Sequence, residues 1–229
     1  FSEDGLRIMR ALRFAAVLNY KIENKTQKAL LEEKSLLLNI SAERITSEFN
    51  KIMCSDNPQV VLNDYKEVFA VFLPEIRPMF TLFQANANHN QFLWTHTLRA
   101  VSNTQADLIL RLTMLFHDIA KPDCKKTDEA GIDHYYNHAQ LSAQKAENIL
   151  DRMKYSKMQI SNIILLIKYH DSITSKSRHF VKKMLQKLGE DNCRKLIKVR
   201  KADILAQSSY NREEKLLLIE GFSSELEDT

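Results

Sequence analysis

Apolar residues recur along the chain at the three- and four-residue spacing of amphipathic helices. Between residues 157 and 170, for example, Ile160, Ile163, Ile164 and Ile167 follow the i, i+3, i+4, i+7 rule. The same pattern predicts helices at 3–19, 25–34, 41–53, 58–71, 92–105, 107–118, 139–153, 157–170, 178–188, 190–208 and 211–221. No convincing run of alternating apolar and polar residues indicates a sheet, so the predicted fold class is all-α.

Prolines and asparagines interrupt this helical pattern once over a long stretch. The segment "FLPEIRPMFTLFQANANHNQF" contains two prolines followed by an Asn-rich stretch, which is typical of a connection between helical regions. We therefore predict a helical region at 1–75, a linker at 76–87, a helical domain at 88–210, and a C-terminal helix with an acidic tail at 211–229. A polar loop is predicted at 125–138.

The composition is ordinary for a globular protein. Of the 229 residues, 44% are hydrophobic and 27% are charged. The three cysteines, Cys54, Cys124 and Cys193, are widely spaced and form no CxxC pattern, which favours a reducing compartment. No apolar stretch approaches the ~20 residues of a membrane span, so a cytoplasmic location is expected.

Several histidines and aspartates fall where the apolar pattern predicts core. His117 and Asp118 end the apolar run "LTMLF", His170 extends the stripe of isoleucines described above, and Asp203 shares a helix face with apolar residues. Such residues, drawn from five helices or helix ends, are His96, His117, Asp118, His138, His170 and Asp203. One buried imidazole bonded to a carbonyl oxygen would explain a single histidine, whereas a divalent metal ion would explain the whole set.

These ligand types do not select one metal. Imidazole and carboxylate groups together suit Mn, Fe, Co, Ni or Zn, and also Mg with carboxylates and water. The remaining histidines, His89, His134 and His179, lie in polar surroundings and are predicted at the surface. Asp171 is predicted to support or cap His170.

The order of these polar residues resembles that of the HD-domain metal-dependent phosphohydrolases, whose ligands occur as H…HD…H…H…D. The resemblance covers about residues 88 to 210 and includes "FHDIAK" and "KADILAQ". It implies one or two divalent metals held by the six residues above, with hydrolysis of phosphomonoesters, nucleotides or cyclic phosphodiesters. Asp118 is then also a catalytic residue, and Lys121 either meets a phosphate oxygen or is a solvated lysine at a helix end.

The first helix carries a second polar pattern, "EDGLRIMRALRF". Asp4 and Arg7 are spaced i, i+3, and together they offer an acceptor beside a donor fork that complements the edge of cytosine or adenine. Arg10 and Arg13 continue the spacing as a cationic ridge for phosphates. Ordinary acid-to-base pairing on a solvated helix face would explain any two of these residues.

This helix, together with "ISAERITSEFNKIM", resembles the neck of the bacterial class II tRNA nucleotidyltransferases, which include CCA-adding enzymes and poly(A) polymerases. The resemblance implies that Asp4 and Arg7 select CTP or ATP, that Arg10 and Arg13 help to hold the nucleotide, and that Glu43 and Arg44 stabilise the neck. It also implies tRNA as a partner. The family's polymerising head, with a D-x-D motif on a β-sheet, is absent from the sequence, so nucleotide addition from ATP and CTP is expected only of a longer chain that contains it.

A basic run between residues 176 and 201 leaves its own alternatives open. Its ten lysines and arginines suit an RNA backbone, although a solvated helix face is the more frequent meaning of such a run. Two functions thus follow from the sequence: a metal-dependent phosphohydrolase, or a non-catalytic tRNA- and nucleotide-binding module whose metal site is vestigial or structural. The sequence predicts no oligomeric state.

Overall fold

The computed structural model describes residues 1, 3–88 and 90–229, so the predicted surface histidine His89 lies outside the described residues. Five α-helices occupy the first third of the chain: α1 (Leu6–Leu18), α2 (Asn24–Glu32), α3 (Ala42–Met53), α4 (Pro58–Asp64) and α5 (Lys66–Phe72). Short 3₁₀ helices follow α2 and α5, at Lys34–Asn39 and Pro74–Phe80.

Eight further α-helices are described in the rest of the chain. They are α6 (Leu93–Ser102), α7 (Leu108–Phe116), α8 (Lys121–Cys124), α9 (His138–Arg152), α10 (Lys157–Tyr169), α11 (Arg178–Leu188), α12 (Glu190–Ala206) and α13 (Arg212–Glu227). The predicted all-α fold class is therefore confirmed. Among the described helices, none combines the length and the apolar character needed to cross a membrane.

Two short antiparallel hairpins depart from the expectation of no sheet. Strand β1 (Phe83–Ala85) pairs with β2 (Asn90–Phe92), and β3 (Lys125–Thr127) pairs with β4 (Asp133–Tyr135). The second hairpin occupies the segment predicted as a polar loop. Strands of three residues are too short for an alternating pattern to stand out in the sequence.

Two predicted helices differ most from the structure, and other helix ends differ by up to three residues. The helix predicted at 58–71 is divided at Tyr65, which has φ −118° and ψ 26° and therefore lies outside helical geometry. The side chain of Tyr65 is buried and does not cap α5. Its hydroxyl accepts a hydrogen bond of 2.8 Å from Gln27 Nε2. The predicted helix 211–221 extends to Glu227, because Ile219, Phe222 and Leu226 continue the buried stripe.

Local side-chain chemistry explains where the helices that lead to the histidines begin. Asp107 caps α7 by accepting a hydrogen bond of 3.0 Å from Leu110 N. Ser156 and Gln159 form a reciprocal capping box at the start of α10. Each cap fixes the residue at which its helix begins. It thereby helps to set the position of the residues at the C-terminal end of the same helix.

Polar contacts join the first five helices to the rest of the fold. The buried Arg111 on α7 donates to the carbonyl oxygens of Met53 and Ser55 at the end of α3. Thr46 on α3 donates to Met153 O at 2.8 Å. One continuous core of buried apolar residues extends from Leu6 in α1 to Leu226 in α13. The domain boundaries predicted at residues 75 and 88 remain a prediction. The apolar core continues from one predicted region into the next.

Candidate functional site

The predicted core histidines and aspartates lie at or near helix ends that converge. His117 and Asp118 follow the last residue of α7, His138 begins α9, and His170 follows α10. His96 lies in the first turns of α6, and Asp203 lies in the last turn of α12. The structure thus brings together all six residues that the sequence predicts as metal ligands.

Three of the histidines are oriented in the same way. The Nδ1 atoms of His117, His138 and His170 lie 2.7, 2.8 and 2.7 Å from the carbonyl oxygens three residues earlier in the chain. Because a carbonyl oxygen can only accept, Nδ1 carries a proton in each ring, and in the neutral form of the ring Nε2 is free to accept or to bind a cation. This is the tautomer that a ring needs when Nε2 binds a metal.

The first group of candidate ligands lies around one oxygen of Asp118. The Nε2 atoms of His96 and His117 are 3.2 Å apart, and they lie 3.5 and 3.2 Å from Asp118 Oδ2. Asp203 Oδ1 completes the group at 3.2 Å from His96 Nε2 and 3.7 Å from His117 Nε2. Two imidazoles and two carboxylates therefore face one another.

The second group lies around the other oxygen of the same carboxylate. The Nε2 atoms of His138 and His170 are 3.4 Å apart, and they lie 3.4 and 3.7 Å from Asp118 Oδ1. Asp118 is therefore shared by two groups of atoms, each close enough together to hold a metal ion.

The arrangement fits a divalent metal on physical grounds. Asp118 is 1% exposed, and apart from the Lys121 ammonium 2.7 Å from Oδ2, its oxygens have no hydrogen bond of regular geometry within the described part of the chain. Two imidazole nitrogens that face each other at 3.2 Å also repel unless a proton or a cation lies between them. A buried carboxylate and facing lone pairs are both satisfied by a metal ion.

The pKa values of the cluster show how protons balance its charge when no metal is bound. Burial alone would lower the pKa of His117, but the adjacent Asp118 and Asp203 carboxylates outweigh burial and raise the pKa to about 10. Burial, followed by repulsion from His117, lowers the pKa of His170 to about 4. Burial would raise the pKa of Asp118, yet His117 and Lys121 hold it well below its usual range. The site therefore places the protonated His117 imidazole beside the ionised Asp118 carboxylate.

Lys121 lies against this cluster rather than in solvent. Lys121 is 5% exposed. Its Nζ lies 2.7 Å from Asp118 Oδ2 and donates a hydrogen bond of 3.1 Å to Gln84 Oε1. The same ammonium lies 5.3 Å from the centre of the Tyr135 ring. The alternative of a solvated lysine is therefore wrong, because this cation is buried beside a carboxylate.

The neck residues form a separate site at the start of α1. Asp4 Oδ1 accepts a hydrogen bond of 3.0 Å from Leu6 N, and Asp4 Oδ2 lies 3.2 Å from Arg44 Nη2 on α3. Arg7 pairs with Glu3 at 2.8 Å and is 56% exposed at its side chain. Asp4 is thus held by Leu6 and Arg44, while Arg7 extends into solvent.

Arg10 and Arg13 differ from each other in their surroundings. Arg10 is exposed, as a ridge residue should be. Arg13 is only 18% exposed at its side chain, and its Nε lies 3.1 Å from Glu48 Oε2 on α3. The structure therefore places Arg13 in an ion pair between α1 and α3, and the nucleotide-binding role expected of both residues remains a prediction.

Comparisons with known proteins address this N-terminal part most directly. Residues 19–80 match the family described as "Probable RNA and SrmB- binding site of polymerase A". A multifunctional CCA protein from Actinobacillus pleuropneumoniae is 31% identical over 185 residues, which cover 74% of this chain and 44% of that protein. A CC-adding tRNA nucleotidyltransferase from Thermus thermophilus is 27% identical over 224 residues, 92% of this chain and 51% of that protein.

A shorter match reaches a higher identity than these two. A CCA-adding enzyme from Pediococcus pentosaceus is 53% identical over 64 residues, which are 28% of this chain and 16% of that enzyme. The chain carries the neck and body region of the bacterial tRNA nucleotidyltransferase family. It spans about half the length of the curated relatives that match most of it, at 44% and 51%.

Two buried polar side chains in the hairpins of this nucleotidyltransferase-family chain were not predicted from the sequence. Gln84 is completely buried on β1, and Asp133 is buried on β4. Asp133 accepts from Ala85 N at 3.0 Å and from Thr127 Oγ1 at 2.8 Å, and it pairs with Lys125 at 2.9 Å. It thereby fastens the second hairpin to the first. Neither residue stood out because both lie in three-residue strands, which are too short for a periodic pattern to mark a buried position.

The basic run at 176–201 is partly neutralised. Arg178, Arg194, Lys195 and Arg200 pair with Glu225, Glu190, Asp191 and Asp203, respectively. The six other basic residues of the run are exposed on or near α11 and α12: Lys176, Lys182, Lys183, Lys187, Lys198 and Lys201. The surface remains positive, but less so than the sequence alone suggests.

Proposed function

We propose that the cluster around Asp118 is an HD-type metal centre that hydrolyses phosphate esters, either 2′,3′-cyclic phosphates or phosphomonoesters. The observation that carries the proposal is the position of Asp118, whose two oxygens lie 3.2 to 3.7 Å from four imidazole Nε2 atoms. Bulk solvent does not reach this carboxylate, which is 1% exposed. A pair of divalent cations that share Asp118 would satisfy both oxygens at once.

The ligand set defines which cations the centre would hold. His96, His117 and Asp203 would bind one cation and His138 and His170 the other, with Asp118 common to both. Imidazole-rich sites with carboxylates suit Mn, Fe, Co, Ni or Zn, and the carboxylates also accept Mg. When bound, such a cation lowers the pKa of water toward neutrality and stabilises negative charge on phosphoryl oxygens.

The protein's own groups position the substrate and balance its charge. Lys121 Nζ, held 2.7 Å from Asp118, presents an ammonium group where a phosphoryl oxygen would approach the cluster. His138 is the most exposed of the four histidines, at 16% of its side chain, so the substrate would reach the centre on the side of this residue. The carbonyl contacts at Nδ1 keep the histidines fixed during the reaction.

The enclosure of the cluster favours a second candidate function. His96 and His117 are completely buried, and Asp118, His170 and Asp203 are 1%, 2% and 3% exposed. A metal in such surroundings could serve only to hold α6, α7 and α12 together in a non-catalytic module that binds tRNA or nucleotides.

Metal analysis combined with a hydrolysis assay distinguishes these two functions. The protein would be purified without a histidine tag, its metal content measured, and its activity assayed on 2′,3′-cyclic AMP and on p-nitrophenyl phosphate. Turnover that is lost in Asp118→Ala supports the phosphohydrolase. Bound metal in wild type without turnover of either substrate supports the structural site.

For the neck and body we propose a role in nucleotide addition to tRNA, in a longer protein that contains a polymerising head. The relatives that match most of the chain are named a multifunctional CCA protein and a CC-adding tRNA nucleotidyltransferase, and residues 19–80 match a family described as a probable RNA-binding site. Asp4 and Arg7 would select CTP or ATP by the base edge, and Arg10 and Arg13 would hold the phosphates. Binding of this chain to tRNA, measured at two salt concentrations against a double-stranded DNA of similar length, tests the RNA contact.

A further inference from the structure

Gln84, in the middle of β1, is a buried polar residue that the mechanism above does not use. Its side chain is completely buried, and its Oε1 accepts a hydrogen bond of 3.1 Å from Lys121 Nζ. The same ammonium lies 2.7 Å from Asp118 Oδ2. One lysine therefore links Gln84 to the carboxylate that both groups of histidines share.

The orientation of the Gln84 amide follows from the chemistry of its neighbour. A lysine ammonium has three donors and no acceptor, so the amide oxygen must face it. The amide nitrogen then points away from Lys121. Nε2 is buried, and the residues that the structure describes offer it no hydrogen-bond partner. A buried donor left without an acceptor is destabilising and uncommon.

A second glutamine in the same hairpin has partners for both polar atoms of its amide. Gln91 on β2 lies directly opposite Gln84 in the strand register. Both polar atoms of its amide have a partner, because Nε2 donates to Ala206 O at 2.7 Å and Oε1 accepts from Arg99 Nη1 at 2.8 Å. Gln84 thus differs from its cross-strand partner, because its amide nitrogen has no partner among the described residues while its amide oxygen contacts Lys121.

We propose that Gln84 binds the phosphoryl group of the substrate. Its Nε2 donates to one phosphoryl oxygen, and its Oε1 positions the Lys121 ammonium for another. An ionised phosphate ester offers only acceptors, so an amide N–H and an ammonium side by side are matched to it. This inference rests on the proposed phosphohydrolase function and assigns Gln84 as a substrate-binding residue of that site.

Two substitutions separate the two roles of the amide. Gln84→Glu keeps an oxygen acceptor for Lys121 but removes the N–H donor, whereas Gln84→Met keeps the length of the side chain and removes both groups. Gln91→Met is the matched control at the opposite position of the same hairpin. The metal content and far-ultraviolet circular dichroism of each variant would be compared with those of wild type, to confirm that the fold and the metal site persist.

Binding of inorganic phosphate to the metal-loaded protein, measured by calorimetry, is the main readout. We expect both Gln84 variants to retain metal and to weaken phosphate binding about tenfold or more, as for loss of a hydrogen bond to a charged group. Gln91→Met should bind phosphate as wild type does. In the hydrolysis assay, KM should rise in the Gln84 variants by a larger factor than kcat falls.

Each contrary result has a distinct meaning. Wild-type affinity in Gln84→Glu together with weak binding in Gln84→Met would show that the residue acts only through Lys121, and direct donation would be wrong. Wild-type affinity in both variants would overturn the whole inference. Because phosphate binding is measured without turnover, a wild-type protein that binds phosphate but hydrolyses neither ester would contradict the phosphohydrolase while leaving the comparison of Gln84 variants intact.

Discussion

Arg44 Nη2 lies 3.2 Å from Asp4 Oδ2, so an ion pair joins α3 to the start of α1 across 40 positions of sequence. The backbone N–H of Leu6 lowers the pKa of Asp4, and the nearby Arg44 lowers it further. The carboxylate is therefore ionised and held on two sides. A base-reading carboxylate needs such a fixed position, because discrimination between bases depends on hydrogen-bond geometry.

The neck assignment leads to the first prediction. In a full-length protein with a polymerising head, Arg7→Ala should reduce selection between CTP and ATP, because one bidentate base contact contributes about 1–3 kcal/mol of discrimination. Arg7 is 56% exposed and pairs with the exposed Glu3, so the fold should be little affected. The measurement is the ratio of CTP to ATP incorporation, with tRNA affinity as the control. Unchanged selectivity would contradict the assignment of Arg7.

The shared position of Asp118 leads to a prediction about metal content. Asp118→Ala should remove metal from both groups, because one of its oxygens faces each group. His138→Ala should weaken only the group that contains His170, whereas His96→Ala and Asp203→Ala should weaken the other. Metal would be measured by mass spectrometry in tag-free protein, with the exposed His179→Ala as the matched control. Equal metal in wild type and all of the variants would mean that the histidines are only core residues.

The sequence predicted that these six histidines and aspartates face inward, and most of them could be recognised because they interrupt an apolar pattern. His170, for example, continues the stripe of Ile160, Ile163 and Ile167, and all four residues are buried on one side of α10. A polar residue at a predicted core position is informative, since its burial needs an explanation. Residues of this kind could therefore be found without knowledge of the tertiary contacts.

The contacts that complete both sites could not be predicted in the same way. The partner of Arg13 is Glu48, a residue of another helix, and spacing along one helix contains no information about it. Gln84 and Asp133 lie in strands of three residues, where no periodic pattern can mark them as buried. In the neck, spacing suggested that Asp4 lies beside Arg7, whereas the structure adds Arg44 as the cation that contacts it.

Arg111 leads to a prediction about stability. Its guanidinium is buried and donates to the carbonyl oxygens of Met53, Ser55 and Thr104. Arg111→Met should leave these carbonyls without their donor and lower the free energy of unfolding by about 2–4 kcal/mol. Urea denaturation followed by circular dichroism measures the change, and the exposed Lys28→Met is the control. A loss as small as that of the control would mean that water replaces the guanidinium.

Asp133 leads to a prediction about acid stability. Burial would raise its pKa, but Lys125, Ala85 N–H and Thr127 outweigh burial and lower the pKa from 3.8 to about 2. Because the folded-state pKa is depressed, this residue stabilises the fold fully above pH 3.8, and its contribution is lost as the pH falls toward about 2. Asp133→Asn should therefore reduce the dependence of the melting temperature on pH in that range. An Asp228→Asn variant, altered at an exposed residue, is the control.

Proton release on metal binding is the last prediction. Without metal, the pKa of His117 is raised to about 10, so its imidazole is protonated at neutral pH. A metal needs the neutral ring, so its binding should release this proton. The metal affinity should therefore increase about tenfold for each unit by which the pH is raised, per proton released. The raised pKa of His117 also affects the free energy of unfolding of the metal-free protein. Its stabilising contribution is fully present below pH 6.5 and is lost as the pH rises through about 10. Calorimetric titration of Mn²⁺ in two buffers of different ionisation enthalpy measures the number of protons released, and His179→Ala serves as the control because that histidine is exposed. A binding enthalpy independent of the buffer, with affinity constant between about pH 6 and 8, would show that His117 is already neutral before the metal binds.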